Sequence, residues 1–272
     1  MSIIVWCFNP NVKWKFILIS IYDENFDKPI KVATYYPRDQ IISTENRHFI
    51  GMQIGITLTG KIVLVTNLNK HTNVNIDSKS KNLSVSKFLK ELEYDITIIN
   101  ESYYKPFDLF FAMITDISYA FYKKWFTDMI LLKEEICGID DEGPQTNSYR
   151  LNRAKEIFQY VIINYTDKNA LINNLFELMN DTEPGMENDT IFKQPKVSLL
   201  TNKIFGTRIQ TIIMVNSKNK LTFVERTLDL DSLLQHEEID NTLSKEIKHT
   251  TVIWYDKSYK WIENLYEFNI IG

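Results

Sequence analysis

Long apolar runs are missing from this sequence. No stretch approaches the roughly 18 uninterrupted apolar residues of a membrane-spanning helix, and the first run, Ser2 to Phe8, is too short and lacks the basic flank of a secretion signal. Integral membrane association is therefore not expected. Cysteine is scarce: Cys7 and Cys137 are the only two in 272 residues, too few for a disulfide framework. Four histidines, at positions 48, 71, 236 and 249, show no Cys/His spacing of the zinc type and read as exposed residues, so no metal site is expected. Positive charge is not in excess either. With 31 Lys and Arg against 35 Asp and Glu the net charge is −4, which provides no field to hold a phosphate backbone and argues against a nucleic-acid partner. Only 8 Gly and 7 Pro occur, and no repeat or low-complexity linker divides the chain. What is present, 44% apolar and 24% charged residues, is the balance of an ordinary folded protein. A single domain over 1–272 in a reducing, cytoplasmic compartment is expected.

The chain then reads as alternating groups of strands and helices. Two apolar runs, Ser2 to Phe8 and Trp14 to Ile21, flank the turn-forming NPNV and predict a hairpin. A second hairpin surrounds Thr59-Gly60, with MQIGITL before it and KIVLVTN after it. A short helix capped by Ser84 is predicted from Val85, Phe88, Leu89 and Leu92, and strands flank Asp116 in FDLFFAMIT and SYAFYKKW. From Tyr149 to Tyr165 the period is helical, with Leu151, Ala154, Phe158, Val161, Ile162 and Tyr165 on one face and Arg150, Arg153, Lys155 and Glu156 largely elsewhere. A further helix follows, capped by Asp167 and striped by Leu171, Leu175, Leu178 and Met179. Strands return at IFGTRIQTIIMV, KLTFVER, TTVIWYD and WIENLYEF. Hairpins dominate and strict βαβ alternation is absent, so the fold class is α+β, with two sheets stacked and helices outside.

The first hairpin carries a chemical consequence. Antiparallel pairing across it sets residue 2 opposite roughly residues 20 to 22, beside Tyr22, Asp23 and Glu24. Ser2 is small enough for Met1 to be removed, and the exposed α-amino group, with a pKa of about 7.7 to 8.0, could act as general base to its own hydroxyl. Asp23 would fix and tune that ammonium. Arg208, at the start of an apolar strand, must reach solvent or find a carboxylate: either it pairs with Asp23 or it makes a peripheral salt bridge. Cys7 and Cys137 lie in apolar strand contexts and read as buried and inert.

The N-terminal run, ISIYDENFDKP, GMQIGITLTGKIVLVTN, YKPFDLF, and FGTRIQTIIMV followed by FVERT resemble, in that order, the NRDE-motif family, also called the transport and Golgi organisation protein 2 family. The resemblance implies a four-layer αββα sandwich similar to N-terminal-nucleophile hydrolases. It also implies a site built from catalytic Ser2, Asp23 and Arg208, with Tyr22, Glu24, Asn67 and Asp141 lining a pocket. The departures are specific. Ser2 replaces the usual Cys, and the eponymous Asn-Arg-Asp-Glu falls on Ile21, Tyr22, Asp23 and Glu24, so an amide and a guanidinium are gone. The usual Phe-Asn is Phe107-Asp108, and a Ser-Asn pair falls on Asp140-Asp141, where a carboxylate would repel a developing oxyanion. Arg208 and Glu225-Arg226 are kept. Two readings follow. One is a non-catalytic family protein that needs no cofactor, binds a lipid, acyl-CoA or haem as its partner, or acts in Golgi organisation and secretion, in the cytoplasm, at the Golgi or in mitochondria. The other is an active amidohydrolase that uses Ser2.

Overall fold

The computed structural model describes residues 2–27, 30, 32–44, 52–67, 85, 89, 107–114, 119–124, 128–132, 135–140, 143–144, 146–185, 190–194, 196–197, 204–229, 247–256 and 259–271. They belong to two compact units: 1–29, 134–237 and 245–269 form the first, and 30–133, 238–244 and 270–272 the second. Ser84, Asp116, Asp141, His48, His71 and His236, all singled out from the sequence, lie outside the described residues.

In the first unit the opening hairpin forms as the turn chemistry requires. β1 (Ser2–Asn11) pairs antiparallel with β2 (Trp14–Asn25), and the register sets Ser2 opposite Tyr22 and Ile3 opposite Ile21. β2 carries the nearly unbroken apolar run FILISI because both of its faces are buried, the pattern of a central strand. Beyond it come β13 (Ile204–Asn216), β14 (Lys220–Asp229), β16 (Tyr259–Asn269) and β15 (Lys248–Asp256). On the other side β1 pairs with β10 (Ile136–Asp140), which pairs with β11 (Gly143–Pro144), while β12 (Lys196–Val197) joins β13.

Two helices pack on one face of this sheet. α1 (Tyr149–Asn164) starts where Ser148, extended in backbone, accepts the amide of Leu151; Ser148 and Thr146 in turn donate to Asp140 at 2.5 Å each. α2 (Lys168–Met179) starts at Asp167, which accepts the amides of Asn169 and Ala170, the cap expected from the sequence. Leu151, Phe158 and Val161 of α1 and Leu171, Leu175 and Met179 of α2 meet Ile3, Val5, Ile17, Ile19, Ile21, Ile212 and Met214 in one core. The helical stripe is therefore the expected one, with a single exception: Arg150, assigned to the solvent side, is 4% exposed.

At the start of α2, Lys168 binds Glu267 at 2.7 Å and Lys220 reaches the same carboxylate at 3.2 Å. Burial pushes Glu267 up, but Lys168 and Lys220 outweigh it and hold the carboxyl below its ordinary value. A depressed native pKa gives stability that is full above the unfolded value and lost as pH falls through the native one. Glu267→Gln is accordingly expected to be less stable than the parent at neutral pH, with the gap closing on acidification below the ordinary glutamate range, as urea unfolding at a series of pH values would show.

The second unit is a seven-stranded antiparallel sheet in the order β3 (Thr34–Tyr36), β4 (Ile41–Ser43), β5 (Met52–Thr57), β6 (Lys61–Asn67), β7 (Phe107–Met113), β8 (Tyr119–Lys124) and β9 (Ile130–Leu132). The β5–β6 turn depends on Gly60, whose φ of +81° suits glycine. Gly55 lets helical Val85 and Leu89 approach: a Cβ there would sit 2.3 Å from Val85 Cγ1. The α+β class expected from the sequence is what the two sheets and their helices form.

Candidate functional site

The site residues of the first unit gather where β2 meets β13. Asn25, Glu24 and Asp23 pair with Phe205, Gly206 and Thr207, then Tyr22 pairs with Ile209, so Arg208 is an extra residue in β13. Such a bulge re-aims side chains. Because side chains alternate along β2, Asp23 shares the helix-facing side with Ile19 and Ile21, and Tyr22 and Glu24 take the other side.

On the helix side, Asp23 is buried, with a contact to each of its carboxylate oxygens. Its Oδ2 lies 2.7 Å from Nη1 of Arg150, and its Oδ1 accepts the Thr207 hydroxyl at 2.7 Å. Arg150 also donates twice to the Ile191 carbonyl, from Nη2 at 2.7 Å and from Nε at 3.2 Å. Thr207 is fixed by two bonds to Lys193: its hydroxyl accepts the Lys193 amide and its amide donates to the Lys193 carbonyl. One step along β13, buried Gln210 donates to the Met179 carbonyl and to Asn180 at the end of α2. These bonds join β2, β13, both helices and the 190–194 segment.

On the other side, Tyr22 donates to Glu24 at 3.0 Å, and Glu24 also accepts the Asn25 amide at 2.8 Å. Arg208 is buried, so it is not the peripheral salt bridge that the sequence left open. Its Nη1 donates to the Asn25 carbonyl at 3.0 Å and its guanidinium lies 4.9 Å from the centre of the Phe26 ring. Burial lowers the Arg208 pKa, while Tyr22, Glu24 and Asp27 act in the opposite direction. The Asp23 carboxylate is thus held by Arg150, which the helical pattern was expected to place largely away from the buried face. The signal was available: 150, 154 and 158 repeat at helical spacing, so Arg150 belongs to the Ala154 and Phe158 stripe.

The remaining expected residues fall as follows. Ser2 is placed by its backbone alone, opposite Tyr22. Asn67 ends β6 in the second unit, opposite Phe107. Asp140 supports the α1 cap. His249 is half-buried rather than exposed: its ring stacks on Tyr266 at 4.3 Å, and burial lowers its pKa against the opposing hydrogen bond that the Asn264 side-chain oxygen accepts from it. Neither Cys7 nor Cys137 is in a disulfide, and both are buried, as expected. Burial, with Glu135 and Cys137 adding to it, pushes the Cys7 thiol up to about 11. In a Cys137→Ser protein, Cys7 is expected to resist maleimide at pH 8 (a thiol reagent titration) and to react once urea unfolds the chain.

One feature escaped the sequence reading. Ser20, Thr211, Glu225 and Asn264 stand side by side across β2, β13, β14 and β16 on the Tyr22 side of the sheet, all buried. Thr211 Oγ1 and, one row on, Thr227 Oγ1 have no hydrogen-bond partner among the described residues. Leu18, Ile213 and Phe223 form the adjoining apolar row.

Among the described residues no group of three or more His, Cys, Asp or Glu side chains could hold a metal ion, and no helix is long and apolar enough to cross a membrane. The model of the family "Transport and Golgi organisation 2" matches residues 1–230, and the chain belongs to that family. It is similar to the mouse (Mus musculus) "Transport and Golgi organization 2 homolog", 24% identical over 263 residues, 85% of this chain and 95% of the mouse protein. The human (Homo sapiens) "Transport and Golgi organization protein 2 homolog" is also 24% identical, over 268 residues covering 88% and 96%.

Proposed function

We propose that this family member is non-catalytic, is built on a scaffold similar to N-terminal-nucleophile hydrolases, and binds a small apolar ligand of the lipid, acyl-CoA or haem type in the service of Golgi organisation or secretion from the cytoplasmic side. The observation that carries this reading is the engagement of Asp23 by Arg150 and Thr207. A carboxylate already satisfied on the helix side is poorly placed to tune an amine at residue 2, and Tyr22 at the usual arginine position supplies no fixed positive charge. Removal of one oxyanion donor, which the Asp140-Asp141 replacement implies, typically lowers the rate about 10²- to 10³-fold. The buried strip of Ser20, Thr211, Glu225 and Asn264 beside apolar Leu18 and Phe223 supports ligand binding. Titration of the purified protein with oleoyl-CoA and, separately, with haem is expected to show saturable binding of one of them; saturation by neither would overturn the ligand reading. The competing reading, an amidohydrolase using Ser2, would show itself as hydrolysis of acyl amides that Ser2→Ala abolishes.

A further inference from the structure

At the end of the first unit's sheet away from Asp23, two hairpin turns lie side by side. Residues 12–13 join β1 to β2 and residues 217–219 join β13 to β14, and the Ser217 amide donates to the Lys13 carbonyl at 2.8 Å. Val12 is 93% exposed at the tip, although a turn there calls for a polar residue. The same corner holds the last turn of α1, because Asn11 donates to the Ile162 carbonyl and Lys13 reaches Thr166. That turn presents Ile163 at 61% and Tyr160 at 60% exposure.

Lysines cluster at this end of the sheet. Lys13 and Lys15 flank one turn, Lys218 and Lys220 the other, Lys15 bridges to Asn219 at 2.7 Å, and Lys168 and Lys248 stand where α2 and β15 begin. Facing these six are Asp167 and Glu267, with Glu156 one helical turn back from Tyr160 and Glu135 back along β1 beside Cys7. This corner is positive in a chain whose net charge is −4. Exposed aliphatic and aromatic tips at a sheet end rich in lysine match a surface that is negative at its face and apolar just beneath it, with Tyr160 suited to the boundary.

We propose that this corner docks the protein on anionic phospholipid membranes, the lysines meeting the headgroups and Val12, Ile163 and Tyr160 entering the interface. It needs neither Ser2 nor the polar strip and so stands apart from the ligand reading. The test is cosedimentation of the full chain with vesicles of phosphatidylcholine alone and of phosphatidylcholine with phosphatidylserine. Binding is expected to the mixed vesicles only, and to weaken as salt rises. Each neutralised lysine is expected to lower the partition coefficient about fivefold, so Lys13→Gln with Lys218→Gln gives a fall of roughly 25-fold. Val12→Asp is expected to weaken binding further while leaving the circular dichroism spectrum and the unfolding midpoint unchanged, since Val12 has few contacts to lose. Absence of binding to the mixed vesicles, equal binding to both kinds, or binding unaltered by these variants would each overturn the proposal.

Discussion

Arg150→Met is expected to destabilise the protein by about 3–5 kcal/mol, because it leaves the Asp23 charge buried without its cation. Asp23 is buried within the sheet and the Arg150 side chain covers it from α1, so neither group can turn to water without opening the helix–sheet contact. The Thr207 hydroxyl alone cannot replace a guanidinium, and the Ile191 carbonyl loses both of its donors at the same time. Replacing both partners, Asp23→Leu with Arg150→Met, is expected to return much of the loss, since apolar groups of similar volume often match a buried ion pair. Guanidinium unfolding of the two single variants, the double variant and the parent gives the coupling energy directly. A single Arg150→Met change within about 1 kcal/mol of the parent would mean that the pair is not structural.

Phe158→Ala is expected to be of similar size, about 3–5 kcal/mol, for a different reason. Phe158 lies at the centre of the α1 stripe, buried against the sheet core, and its loss opens a cavity that the flanking Leu151 and Val161 can only partly fill. The substitution also loosens the helix that carries Arg150, so its effect should be non-additive with Arg150→Met, whereas a change in the second unit such as Phe111→Leu should add. The same unfolding experiment reads both.

Much of the fold was legible in local chemistry. The turn-forming NPNV between two apolar runs gives the first hairpin, and with it the pairing of residue 2 with Tyr22. Asp167 followed by an apolar stripe gives α2, and the helical period of 151, 154, 158, 161 and 162 gives the buried face of α1. Short strands such as β3, β4 and β9 were not legible, because three residues carry too little periodicity to stand out from a loop. β10 was not legible as a neighbour of β1, since its pairing partner lies more than a hundred residues away.

The candidate site was legible in its composition and less so in its wiring. Asp23 and Arg208 come from neighbouring strands, and the bulge at Arg208 depends on the register of β2 against β13, which no single strand displays. Arg150 was assigned to solvent because it is charged, although its helical position placed it toward the sheet. The Ser20, Thr211, Glu225 and Asn264 strip draws one residue from each of four strands, so it exists only once the sheet is assembled.

The central claim is that Asp23 serves the scaffold through Arg150 and not the chemistry of residue 2. Hydrolysis of an acyl-amide panel, measured on protein whose intact mass shows Met1 removed and Ser2 unmodified, tests it most directly beside Ser2→Ala. Indistinguishable background release from the two proteins is the predicted result; product formation that depends on the Ser2 hydroxyl would contradict it.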